Sequence, residues 1–145
     1  KMTNSKFFAD TATVTETENM LYTFNANTPH FYVVIVANKK DIDANRLSFN
    51  ISNFNIDYFG MANYSVSSVI MNKDFNIITV KTFENKAQAM SYFMSVKANQ
   101  DIFKDINPED YRHFVINADN FAAFYKDQDI NKYNQFFTKK YIEQK

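Results

Sequence analysis

Residues 31–37 read FYVVIVA, and an extended strand with that sequence is apolar on both faces. Phe31, Val33 and Ile35 point one way, and Tyr32, Val34 and Val36 point the other. A sheet built around such a strand needs a covering layer on each side. The chain has the material for both layers. Hydrophobic residues make up 46% of its 145 positions, with 16 Phe and 9 Tyr. That suits one domain with a sizeable core and is far too apolar for disorder.

Around that strand the pattern alternates between periods of two and of about 3.6 residues. Leu47, Ile51, Phe54 and Tyr58 recur at spacings of four, three and four, one face of a helix, with Gly60 placed to close it as a left-handed cap. YSVSSVIM (64–71) and IITVKTF (77–83) read as strands joined through the turn NKDFN. Asn85 is positioned to cap the next helix, with Gln88 three residues on, and Ala89, Phe93 and Val96 form that helix's apolar stripe beside Met90 and Met94. KANQDIFKDINPED reads as a loop, and YRHFVIN (111–117) as a fourth strand. The tail reads as two helical pieces broken near Asp127–Asp129, with Ile130, Tyr133, Phe137 and Tyr141 as its stripe. The order predicts an α+β, ferredoxin-like βαββαβ domain with both crossover helices on one face. Residues 1–20, Thr-rich and polar, read as a leader or linker, 21–145 as the single domain, and 118–142 as a helical extension.

The tail then acquires a task. Helices on one face leave one of these two apolar sets bare, so the tail, the segment around Leu21–Phe24 or a partner protein must cover the second face. We expect residues 118–142 to fold back and bury Phe121, Phe124, Ile130, Tyr133 and Phe137.

Charge and composition remove several function classes. Sixteen basic residues balance 16 acidic ones without a basic stripe, so no nucleic-acid footprint is present. No helix with a basic amphipathic face stands out, and no apolar run approaches the roughly 18 residues of a membrane span. Direct membrane insertion of this segment is not expected. The absence of Cys excludes disulfides, thiolate catalysis and Cys-based zinc sites.

The residue types that carry chemistry read as structural ones. His30 and His113 fall toward opposite ends of adjacent strands, roughly a dozen ångströms apart at 3.3 Å per residue, and read as surface or sheet-edge histidines, not a shared metal site. Asp101, Asp105, Glu109 and Asp110 lack the spacing and the glycine of an EF-hand. Asp127 and Asp129 sit where helix caps are expected. Ser67 and Ser68 have no nucleophile context. No catalytic residue, cofactor or metal is expected, and the domain is read as a non-enzyme. Phe83 and Asn85 are read as the anchor and cap of the strand-to-helix joint. Tyr32, Tyr64, Tyr111, Phe124 and Tyr125 are the aromatics singled out for core packing or for stacking on a sugar or a partner.

Two resemblances extend this reading. HFYVVIVANKKD and ITVKTFENKAQAMSYFMSVK resemble the two halves of a SPOR domain, a small ferredoxin-like module that binds septal peptidoglycan strands. The Gly-Pro of that family's turn is missing at Lys81-Thr82-Phe83, whereas the Phe is kept. Across 21–142, the blocks ISNFNIDYF, VKTFENKAQAM and NFAAFYKDQDINKY are similar to the C-terminal domain of the Bacteroidetes tetratricopeptide lipoproteins of gliding motility and type IX secretion (SprE/PorW-like). That similarity implies a non-catalytic interaction or assembly domain in the periplasm or cell envelope, with envelope proteins as partners and with its targeting signal outside this segment. The SPOR likeness implies a glycan-binding module instead.

Overall fold

A computed structural model describes residues 21–143. The expected leader 1–20 lies outside the described residues. Four strands, β1 (His30–Ala37), β2 (Ser65–Ile70), β3 (Phe75–Phe83) and β4 (Tyr111–Asn117), form one antiparallel sheet in the order β2-β3-β1-β4. Helices α1 (Ala44–Phe59) and α2 (Lys86–Lys97) connect β1 to β2 and β3 to β4. Two further helices, α3 (Ala118–Asp127) and α4 (Ile130–Phe137), follow β4, and a single π turn closes the chain at Thr138–Ile142. The fold is α+β and compatible with a ferredoxin-like type, although its element order runs on past a bare βαββαβ.

The doubly apolar β1 sits inside the sheet, and Tyr32 through Val36 are fully buried. On one face Tyr32 meets Tyr92 and Phe93 of α2, and Tyr92 in turn meets Phe54 of α1. On the other face the tail provides the cover. Phe124 packs edge-on to Phe114, Tyr133 lies 4.7 Å from the same ring, and Phe121 meets Phe31. Phe124, Ile130, Tyr133 and Phe137 are buried as expected, together with Tyr141, whereas Phe121 is only half-buried. Tyr22 joins this layer against Tyr133 and Phe136. Its segment is held by Asn120, whose Oδ1 accepts from Thr23 N at 3.0 Å and whose Nδ2 donates to Thr23 O at 2.8 Å.

The glycine-free joint between β3 and α2 works through a register shift. Between His30 and Tyr32 the pairing with β3 advances from Phe83 to Val80, so the two strands differ by one residue there. A one-residue shift reverses which face a side chain points to. Phe83 accordingly faces α2 and is fully buried, 4.5 Å from the Tyr64 ring and 5.0 Å from that of Tyr92. Asn85 Oδ1 then accepts from Gln88 N, and Gln88 Oε1 accepts from Glu84 N, a reciprocal cap. Asn85→Ala should therefore lower the unfolding free energy by about 1 kcal/mol in denaturant titration.

Several expectations are corrected. Gly60 is right-handed helical (φ −55), and among the described residues Asn63 and Gln128 are left-handed. Tyr58 is 62% exposed, and its expected place on the buried face of α1 is taken by Asn55, whose Oδ1 accepts from the Tyr92 hydroxyl. A ring-sized gap under α1 is already filled by Tyr92 reaching across from α2. The segment expected to be a plain loop contains two 3-10 turns, Gln100–Phe103 and Pro108–Asp110, and buries Ile102 and Phe103.

Candidate interaction surface

His30 belongs to the interior, whereas His113 is half-buried on the edge strand β4, as expected of a sheet-edge histidine. His30 is fully buried. Its Nδ1 donates to Thr28 O at 2.7 Å, which leaves Nε2 to accept from the Tyr141 hydroxyl at 2.7 Å. His113 pairs with Val34, four ladder steps from the His30–Asn117 pair, and shares a 2.8 Å hydrogen bond between its Nδ1 and the Tyr32 hydroxyl. The ring is sandwiched against Phe93 and Phe103. Burial lowers the His113 pKa from 6.5 to about 4, and burial lowers that of His30 as well. Both sites favour the neutral ring, so the unfolded chain takes up protons first as the pH falls. The sign follows: their contribution is complete above about 6.5 and is lost as the pH drops below it, for His113 toward about 4. His113→Gln should flatten the pH dependence of unfolding in that window, measured by denaturant titration.

Among the described residues, no group of three or more His, Cys, Asp or Glu side chains stands close enough to hold a metal ion. Asp110 is buried against Lys39, with Nζ to Oδ1 at 3.0 Å, and Asp43 caps α1 by accepting from Arg46 N. A cavity of about 230 Å³ near these residues is lined by Asp41, Asp43, Arg46, Asn50 and Asp105 with Leu47 and Ile102. Its polar groups serve the ends of α1 and the 100–110 segment, since Asn50 Nδ2 donates to Ile102 O. No described helix is long and apolar enough to cross a membrane.

The aromatic candidates separate by burial. Tyr32 and Phe124 are fully buried and pack in the core, where no ligand reaches them, and Phe83, read as the anchor of the joint, is buried as well. Tyr64 and Tyr111 are half-buried, the latter stacked on Phe103 at 4.1 Å. Tyr125 remains 42% exposed on the outer side of α3. The structure does not bring these residues together at one place.

The two sheet edges differ. Edge strand β4 is sealed by α4: the Tyr133 hydroxyl donates to Val115 O at 2.6 Å, and Phe137 spans from Phe93 of α2 to Phe114. Edge strand β2 is bare. It pairs with β3 only, and among the described residues no other backbone bond reaches it. Met71 N donates to Phe75 O, and stepping back by two residues Val69, Ser67 and Ser65 face Ile77, Thr79 and Lys81. In antiparallel pairing the alternate residues turn their N–H and C=O outward. Val66, Ser68 and Ile70 therefore present unpaired backbone groups along the free edge.

Apolar side chains surround that edge. Val69 is 50% and Ile70 68% exposed. Above them runs the shoulder of α1, where Asn45, Phe49, Ser52 and Ile56 align at helical spacing, with Phe49 57% and Ile56 69% exposed. Two hollows lie between α1 and β2. One, of about 250 Å³, is lined by Ser52, Ile56, Tyr64 and Val66, and the other, of about 500 Å³, by Ala44, Asn45, Ser68 and Ile70. Buried Asn55 borders the first, and its Nδ2 has no acceptor within the chain. Nothing in the sequence reading selected these residues. The available signals were Phe49 and Ile56, seven apart and off the buried stripe, and a strand, SVSSVI, without a charge.

Comparison with protein-family models, with curated proteins and with solved structures finds no match.

Proposed function

We propose that the chain is a non-catalytic protein-interaction domain, ferredoxin-like in plan and extended by two helices, that takes a partner on the open β2 edge. One observation carries this reading: the protein seals the β4 edge with α4 and leaves β2 bare. Natural sheets blunt exposed edges with Lys, Pro, bulges or covering elements. β2 has none of these. Strand addition supplies main-chain hydrogen bonds for affinity, and flanking hollows supply side-chain selectivity. The two hollows along α1 suit that division.

The similarity to envelope lipoprotein domains of gliding motility and type IX secretion makes the periplasm or cell envelope the proposed setting and envelope proteins the proposed partners. A SPOR-like glycan-binding role needs an accessible sheet face. Both faces of β1 lie under helices, which favours the protein-partner reading. Immobilised chain exposed to envelope extract should retain a protein that an Ile70→Lys variant of equal melting temperature does not retain. Retention on purified peptidoglycan sacculi, unchanged by Ile70→Lys, would overturn the proposal in favour of glycan binding.

A further inference from the structure

We infer that the strand taken by the β2 edge is β2 of a second copy, paired antiparallel across a two-fold axis at Ser68. This rests on the reading of β2 as the interaction edge and names its occupant.

The pattern of β2 matches its own image. Residues directly opposite in an antiparallel pair lie on the same face. The outward-bonding residues are Val66, Ser68 and Ile70, so a register centred on Ser68 sets Val66 against the partner's Ile70, Ser68 against its counterpart, and Ser67 against Val69. Apolar then meets apolar on the α1 face, and hydroxyl meets hydroxyl on the axis. A two-fold axis through a symmetric interface requires this kind of self-complementarity.

Charge permits it as well. β2 carries no ionisable residue, so self-pairing brings no like charges into opposition. An axis normal to the sheet keeps α1 of both copies on one face, where Phe49 and Ile56 meet their counterparts. The charged residues of α1 lie on its other side. Arg46 lines the cavity shared with Ile102 and Asp105, and Asp57 lines the one shared with Asn99 and Lys104. An extended partner of different sequence has no such symmetry to satisfy, and the two charged residues beside the edge, Lys40 and Asp43, are opposite in sign and select no net charge on it.

The area is adequate. The exposed parts of Phe49, Ile56, Val69 and Ile70 amount to on the order of 400 Å², taking roughly 150–250 Å² per large side chain. That is about half of the roughly 800 Å² per partner in a standard interface, and the six-residue backbone edge adds to it.

The chain lacks Cys, which makes a cross-linking test unambiguous. A hydrogen-bonded antiparallel pair sets Cα atoms about 5.5 Å apart, inside the range a disulfide spans. Under mild oxidation Ser68→Cys should form a covalent dimer at least tenfold faster than Ser65→Cys, which is the more exposed of the two but off the axis. Sedimentation of the unmodified chain should show a concentration-dependent dimer that Ile70→Lys abolishes without changing the melting temperature. A chain that sediments as a monomer at all concentrations, with Ser68→Cys no faster than Ser65→Cys, overturns the inference. If that monomer still captures another protein through β2, the interaction reading survives and only the second copy is lost. If it captures nothing sensitive to Ile70→Lys, both fall.

Discussion

A chain ending at Asn117 should fail to fold cooperatively, bind hydrophobic dye and aggregate. Truncation there removes Phe124, Ile130, Tyr133, Phe136, Phe137 and Tyr141, all buried, and bares Val33, Ile35, Ile77, Phe114 and Ile116. Six large side chains at about 1.5–3 kcal/mol each for full burial come to roughly 10 kcal/mol or more, which matches the whole stability of a typical domain, about 5–15 kcal/mol. The same cut opens the β4 edge by removing the Tyr133 hydroxyl from Val115 O. Two sticky surfaces would then be exposed at once. Light scattering and thermal melting check this directly. A truncated chain that stays monomeric and keeps its melting temperature would show that α3 and α4 are an appendage.

The second large effect belongs to Phe83. Replacement by Ala should cost about 3–5 kcal/mol, with an unchanged denaturant slope and a lower midpoint. The ring contacts both Tyr64 and Tyr92, and Tyr92 also touches Phe54 and Phe59, so α1, β3 and α2 meet on this group. A cavity there has no flexible neighbour to collapse into it. Phe83→Leu should recover most of the loss, because its volume is closer to that of the ring. An Ala variant within error of the parent chain would place Phe83 outside the core.

How much of this could be seen beforehand differs from element to element. β4 was read to its exact ends, because YRHFVIN is bounded by a proline-containing turn and by Asn117, which caps α3 by accepting from Asn120 N. The break in the tail was also legible, since Asp129 caps α4 and Gln128 turns left-handed between the two helices. Gly60 misled because glycine after a helix usually marks the left-handed position. Here α1 continues in right-handed turns and the reversal waits for Asn63. The face of Phe83 could not be read, since it depends on a bulge between two strands distant in sequence. The depth of His30 was missed for a related reason: its hydroxyl partner, Tyr141, lies 111 residues away.

The candidate site was the least legible part. Whether a strand lies at an edge is decided by sheet order, a tertiary property, and SVSSVI reads equally well as an interior or an edge strand. Openness became apparent only when β4 was seen to be sealed and β2 was not. The aromatic residues drew attention first because of their number, yet Tyr32 and Phe124 are spent on the core. The residues that surround the open edge, Ile56, Val69 and Ile70, are ordinary aliphatics in the sequence.

The most direct measurement is residue-resolved amide hydrogen exchange along β2 in the dilute chain. Ser67 and Val69 point their backbone groups at β3 and should exchange slowly, whereas Val66, Ser68 and Ile70 point theirs outward and should exchange fast. The three fast amides should become protected when the edge is occupied, by a second copy at high concentration or by a bound partner. If all five are equally slow at a concentration where the chain sediments as a monomer, the edge is filled by the chain itself, and β2 is not an interaction surface.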